Sequence, residues 1–154
     1  MIKPKILQQQ EDNLRFTTFD HTLALQFAAC VDAIVTREHE KPVAVCVILD
    51  GQTILDYRTT GRQGSGWLAR KVRTVLTAKH SSMYTYLHRL EKPYQEWAQN
   101  PQYAVCGGGF PLYVANVLRG VLAVSGLNHE DDHRVLVEAL ETVLIQQRNE
   151  RKKE

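Results

Sequence analysis

Most of the features that announce a protein's role are missing from this 154-residue chain. No run approaches the ~18 consecutive apolar residues of a membrane span, and the opening MIKPKILQQQ lacks the apolar stretch of a secretory signal. There are 3 cysteines, Cys30, Cys46 and Cys106, odd in number, far apart and without a C-x-x-C pair. That argues for reduced thiols in a reducing compartment rather than a disulfide framework. The net charge is only +2, which gives no reason to expect nucleic acid as a partner. Basic residues gather only in Arg148–Lys153 (RNERKK), a solvated helix end or, alternatively, a docking tail. Neither G-x-x-x-x-G-K nor G-x-G-x-x-G precedes a helical pattern, so nucleotide-binding folds have no support. No internal repeat of solenoid period is present. The expectation is a cytoplasmic protein that binds no nucleic acid and inserts into no membrane.

What is there reads as one domain. Residues 1–13 form a polar lead-in with a short helix ending near Leu14, residues 14–148 the domain, and residues 149–154 a charged tail. Asp20 caps a helix whose Leu23, Phe27, Val31 and Ile34 recur at helical spacing; Pro42 stops it near Lys41. Pro42–Leu49 reads as a buried strand, Asp50-Gly51 as a hairpin turn, and Gln52–Thr59 as the returning strand. After a loop at Gly61–Gly66, Ser65 caps a helix running toward Lys79. Ser81 or Ser82 caps another, with Tyr84, Leu87 and Leu90 on its buried face, and Pro93 opens a short piece through Trp97. Phe110–Ala115 and Arg119–Ser125 make a second hairpin. Asn128 caps the last helix, whose stripe is Val135, Leu136, Ala139, Leu140, Val143 and Leu144. The order predicts an α+β domain in which helices flank a central antiparallel sheet built from hairpins.

Several groups of residues carry chemistry. His129–His133 spells H-E-x-x-H, which on a helix puts both histidines on one face for zinc, with Glu130 as general base. The context argues against this: Glu130, Asp131 and Asp132 suit the positive end of a helix, and no third ligand follows at metalloprotease spacing. Arg70, beside Lys71, can clamp a carboxylate or phosphate, or can form an ordinary surface ion pair. Gly107–Gly109 can cradle an anion or flat cofactor, or simply turn the chain into its strand. Ser125-Gly126 precedes a helix start whose amides can hold an anion unless Asn128 and the acids satisfy them. His21, His39 and His88 have no companion at ligand spacing and read as surface or structural residues. Tyr84, Tyr86, Tyr94 and Trp97 read as a packed lid or subunit interface, with ligand stacking as the alternative.

W-L-A-R-K at Trp67–Lys71, H-S-S at His80–Ser82, G-G-G-F-P at Gly107–Pro111 and S-G-L-N-H-E-D-D-H at Ser125–His133 occur in an order and spacing that resemble the UPF0303 group. That group is part of the haem-degrading-domain (DUF336) superfamily, with relatives of HbpS and GlcG type. The likeness spans about residues 14–145. It implies a profilin-like layered α+β fold, self-association into a homo-oligomer, and a ligand that in some members is haem. The positions that the resemblance marks as ligand-binding are Trp67, Arg70, Lys71, Ser81, Ser82, Gly107, Gly108, Gly109, Phe110, Ser125, Gly126, Asp132 and His133, and Pro111 matches the group's pattern as well. This chain departs from the group in carrying Cys106 where histidine is frequent, and His129 and Glu130 fall outside the pattern. Asp132 can satisfy first-turn amides, leaving His133 free to titrate or to ligate.

Three readings follow. The first is an oligomeric binder of haem or a small carboxylate, with Arg70, the glycine backbone and His133 converging on the ligand. The second is a scaffold whose multimer recruits a partner protein. The third is an enzyme on a small anionic metabolite, with His133 as acid–base and Arg70 as clamp.

Overall fold

The computed structural model describes residues 1–64 and 66–153. The expected cap at Ser65 lies outside these residues. Helix α1 spans Pro4–Asn13 and α2 His21–Arg37; strands β1 (Ala44–Leu49) and β2 (Gln52–Arg58) follow. Then come α3 (Gly66–Ala78), α4 (Ser82–Leu87), α5 (Tyr94–Trp97), β3 (Gly109–Val114), β4 (Val117–Ser125) and α6 (His129–Lys152). The strands form one antiparallel sheet in the order β2-β1-β4-β3. This is the α+β architecture that the order of elements predicted.

Both hairpins close through two left-handed residues, Asp50-Gly51 (φ 51° and 79°) and Ala115-Asn116 (φ 51° and 63°), the geometry that matches strand twist. The second turn is tighter than expected, so β4 begins at Val117 rather than Arg119. Helix α2 also stops earlier than expected. His39 takes a left-handed φ of 53°, and the Glu38 and Glu40 amides turn back onto Ile34 and Val35. Pro42 therefore lies beyond a helix already ended.

Strand alternation sorts the two faces of the sheet. Val45, Val47, Phe110, Leu112, Leu122 and Val124 face α2 and α6 in the main core, against Phe27, Val31, Leu136 and Leu140. Ala44, Cys46, Val121 and Ala123 face α3, meeting Leu68 and Val75. The small residues on this second face let α3 approach closely, and that approach brings Lys71 within reach of the end of β4. Pro111 is accommodated because β3 is an edge strand.

The expected face of α4 is corrected. Ser82, Met83 and Thr85 are buried, whereas Leu90 is 81% exposed. The helix ends at Leu87, so a periodicity read through Leu90 extends beyond any helix. Ser82 turns inward because its hydroxyl has a backbone partner in β3. The lead-in residues form a docked helix: Leu7 and Glu11 are buried, and Phe16 bridges the outer edge of β3. The expected cap residues of α2 and α6 do act as caps, Asp20 accepting from the Leu23 amide and Asn128 from the Asp131 amide. None of the described helices is long and apolar enough to cross a membrane.

Gly120 is a tight point in the sheet. A Cβ there would fall inside the Ile48 carbonyl, backbone against backbone. Gly120→Ala is expected to destabilise the fold by roughly 2–3 kcal/mol or more by forcing β1 and β4 apart, read as a lower urea midpoint at unchanged m-value.

Candidate functional site

Helix α3 carries Lys71 under the sheet end, where its ammonium is almost fully buried. Nζ donates to the Val124 carbonyl at 2.9 Å and to Asp132 Oδ2 at 3.0 Å. Both partners of this ion pair are nearly inaccessible, at 3% and 2% side-chain exposure. Asp132 sits in the first turn of α6, and its Oδ1 accepts the Leu127 amide at 3.0 Å. Burial pushes the Asp132 carboxyl above its usual range, opposed by Lys71 and by the Leu127 and Gly126 amides.

Close packing accounts for the three glycines, and at Gly108 the ion pair itself is the neighbour. Gly108 has φ 123°, and a Cβ on it would overlap Lys71 Nζ and lie 2.5 Å from the Val124 carbonyl oxygen. A Cβ on Gly107 would lie 2.5 Å from the His129 carbonyl oxygen, and one on Gly109 2.8 Å from Val75 Cγ2. The strand entry is thus pressed onto the ammonium, and packing occupies the space that a glycine cradle would leave open. Two of its amides are spoken for as well. Gly107 N–H donates to His129 Nδ1 at 2.9 Å and Gly109 N–H to Ser82 Oγ at 2.8 Å.

Beside the pair opens a pocket of about 360 Å³. Lys71, Asp132, Cys106 and His129 line it together with Ser125, Gly126 and Leu127, and Arg62 and Trp67 stand with them. Larger hollows exist: about 520 Å³ between α3 and β1–β2, and about 630 Å³ between α2 and β2. Those are walled mainly by apolar side chains such as Leu68, Val72 and Leu76, or Leu25, Ala29 and Leu55. The smaller pocket is where a buried ion pair, a thiol, an imidazole and an indole converge.

Two pocket groups have altered acidity. Burial pushes the Cys106 thiol up, with Lys71 pulling it back down. Burial holds His129 below the ordinary imidazole range, so it is neutral at pH 7. Because Nδ1 accepts the Gly107 amide, the neutral ring carries its proton on Nε2.

The remaining expected site residues divide. Arg70 donates from Nε to the Tyr103 carbonyl at 2.9 Å and lays its guanidinium 3.8 Å over the Trp67 ring; it does not line the pocket. Ser81 caps α4 and donates to the buried Glu11 at 2.9 Å. Phe110 is fully buried in the main core. His133 lies in a separate groove between α1 and α6, where Nε2 meets Gln10 Oε1 at 2.8 Å. Its Nδ1 is buried without a hydrogen-bond partner. Arg70 and the His133 ring therefore do not meet in one site, although His133 Cβ lies against Gly107. Nor do the two histidines of H-E-x-x-H, one held by Gly107 and the other by Gln10, and among the described residues no three potential ligands gather for a metal.

Sequence reasoning missed Glu11, Gln10 and Arg62. Glu11 accepts from His80 at 2.8 Å as well as from Ser81. The donors of H-S-S signal a need for some carboxylate, but nothing local says that α1 supplies it. Arg62 sits in a loop without periodicity, and only the fold brings it to the pocket.

Two outcomes are expected from this geometry. Lys71→Met strands a buried carboxylate and is expected to lower stability by about 3–5 kcal/mol in chemical denaturation. His133 is held by burial at a pKa of about 4, against 6.5 unperturbed. The unfolded chain therefore binds a proton between pH 6.5 and 4 that the folded chain refuses. Stability should fall as pH drops through that window, by on the order of 3 kcal/mol, and His133→Gln should flatten the slope in urea titrations at pH 7 and 4.5.

Comparison with known proteins places the chain. The family model described as "Haem degrading protein HbpS-like" matches residues 19–141. A UPF0303 protein of Psychromonas ingrahamii is 32% identical over 139 residues, covering 85% of this chain and 86% of that one. Another from Streptomyces coelicolor is 33% identical over 143 residues, covering 88% and 89%. Among solved structures, Ybr137w superposes with a TM-score of 0.84 at 25% identity, over 95% of this chain and 90% of that one. HbpS gives a TM-score of 0.67 at 18% identity (84% and 92% covered), and a PduOC–haem complex 0.67 at 19% (80% and 94%), likenesses of fold. The chain belongs to the UPF0303 proteins, within the HbpS-like family of haem-degrading proteins.

Proposed function

We propose that this protein binds a small carboxylate in the pocket beside the Lys71–Asp132 pair. The observation that carries this reading is an imbalance of donors over acceptors. Lys71 has three ammonium protons and, among the described residues, two partners, Val124 and Asp132. Asp132, the acid of the pocket, spends its oxygens on Lys71, Leu127 and Gly126. His129 carries a proton on Nε2, and Arg62, its Nε bonded to the Gly64 carbonyl at 2.7 Å, makes no further hydrogen bond from its terminal amino groups among the described residues. A pocket wall with donors left over and its carboxylate saturated favours an anion. About 360 Å³ lies within the range of small-molecule sites, toward its lower end. No reaction is assigned: His133, the candidate acid–base, lies in the other groove. Self-association belongs to this reading and is supported by the apolar hollows on both sides of edge strand β2.

Haem is the second reading, favoured by the family description and by the haem complex of the PduOC neighbour. A haem iron needs an axial His, Cys, Met or Tyr. His129 has its Nδ1 bonded and its Nε2 protonated, and the free nitrogen of His133 is sealed. Cys106 is the pocket residue that fits, as a thiolate beside Lys71 and against the pull of burial. Bound haem would supply a redox-active iron; the protein would supply the thiolate and donors for the propionates.

Native mass spectrometry of gently purified protein, followed by calorimetric titration with oxalate, citrate and haemin, tests both readings and the assembly. A carboxylate site is expected to weaken about 10- to 100-fold in the Arg62→Gln/His129→Phe variant and to weaken with added salt. A haem site is expected to show a Soret shift abolished by Cys106→Ser. A bare monomer that binds none of the three probes would remove the proposal.

A further inference from the structure

We infer that the carboxylate recognised here is borne on a flat aromatic ring, which lies on the open face of Trp67. The inference rests on the carboxylate reading of the same pocket and adds the class of ligand.

Trp67 is 46% exposed, an unusual state for an indole. It is nevertheless not loose. The Arg70 guanidinium lies 3.8 Å over one ring face, and Arg70 is itself fixed by the bond from Nε to the Tyr103 carbonyl. Tyr103 is in turn stacked on Trp97, ring centroids 4.5 Å apart and planes within 9°. A chain of contacts thus holds the indole against the protein from one side. Trp67 lines the pocket while Arg70 does not, and the ring face opposite Arg70 is the one assigned here to the ligand.

Spacing completes the argument. Trp67 and Lys71 are one turn apart on α3, on the same face of the helix. The anion-binding end and the stacking face are therefore separated by about the width of one ring. The pocket's volume of about 360 Å³ suits one ring or a fused pair. His129, also in the pocket lining, packs edge-on with Tyr86, centroids 4.4 Å apart, and Arg89 lies over the Tyr86 ring at 4.2 Å. A benzoate- or pyridinecarboxylate-like molecule places its carboxylate toward Lys71, His129 and Arg62 and its ring on the indole. A saturated acid of equal size gains the first set of contacts and loses the stacking, a difference worth about 3- to 10-fold in affinity.

The test compares benzoate and nicotinate with cyclohexanecarboxylate, by calorimetry and by Trp67 fluorescence in a Trp97→Phe background. The expected result is about 3- to 10-fold tighter binding of the aromatic acids with quenching of Trp67. Trp67→Leu should erase that preference while keeping affinity for the saturated acid, and Trp67→Phe should restore part of it. Equal affinity for benzoate and cyclohexanecarboxylate with unchanged Trp67 emission would overturn the stacking and leave the carboxylate reading standing. Binding of none of the three acids would overturn both.

Discussion

The buried ion pair between Lys71 and Asp132 is the constraint around which this end of the molecule is organised. It joins α3, the last residues of β4 and the first turn of α6 through hydrogen bonds of 2.9 and 3.0 Å. Two charges taken out of water contribute little net stability, but a partner left alone is costly. The pair therefore acts mainly as a registration device: α3 can dock on the small-residue face of the sheet only where Lys71 reaches both Val124 and Asp132. The same demand reaches the following strand, because the chain crossing the ammonium must have no Cβ at Gly108.

From this constraint the pocket follows. Asp132 is the first-turn acid that neutralises the lysine and ties down the Leu127 amide, so it has no oxygen to spare for a ligand. His129, one turn earlier on the same helix, receives the amide of Gly107 and turns a protonated nitrogen outward. Among the described side chains lining this pocket, the hydrogen-bonding capacity left over is on the donor side. Cys106, which stands immediately before the three glycines, lines the same pocket.

Much of this was legible in the order of residues. The two hairpins, the caps at Asp20 and Asn128 and the α+β architecture follow from local rules of alternation, turn chemistry and capping, which act over a few residues. The four motifs were legible as a family pattern, and Lys71, Asp132, Gly107–Gly109, Ser125 and Gly126 do lie side by side. Other positions required more than local rules. Leu90 lies past the end of a helix that its spacing invited one to extend, and His39 ended α2 through a backbone conformation uncommon for histidine. The glycines read as a cradle or a turn, yet the reason for Gly108 is an ammonium contributed from 37 positions earlier, on Lys71.

The sequence by itself determined the elements, their order and the family, because hydrophobic period, caps and turns are properties of neighbouring residues. Only the tertiary structure decided which polar groups are free. H-E-x-x-H puts two histidines on one helix turn, but their partners, Gly107 and Gln10, come from distant segments and send them into different grooves. Arg70 and Lys71 are adjacent in the chain, yet one is spent on Tyr103 and Trp67 while the other is buried on Asp132. Whether a side chain can serve a ligand depends on the hydrogen bonds that it has already made, and those are fixed by contacts between residues far apart in sequence.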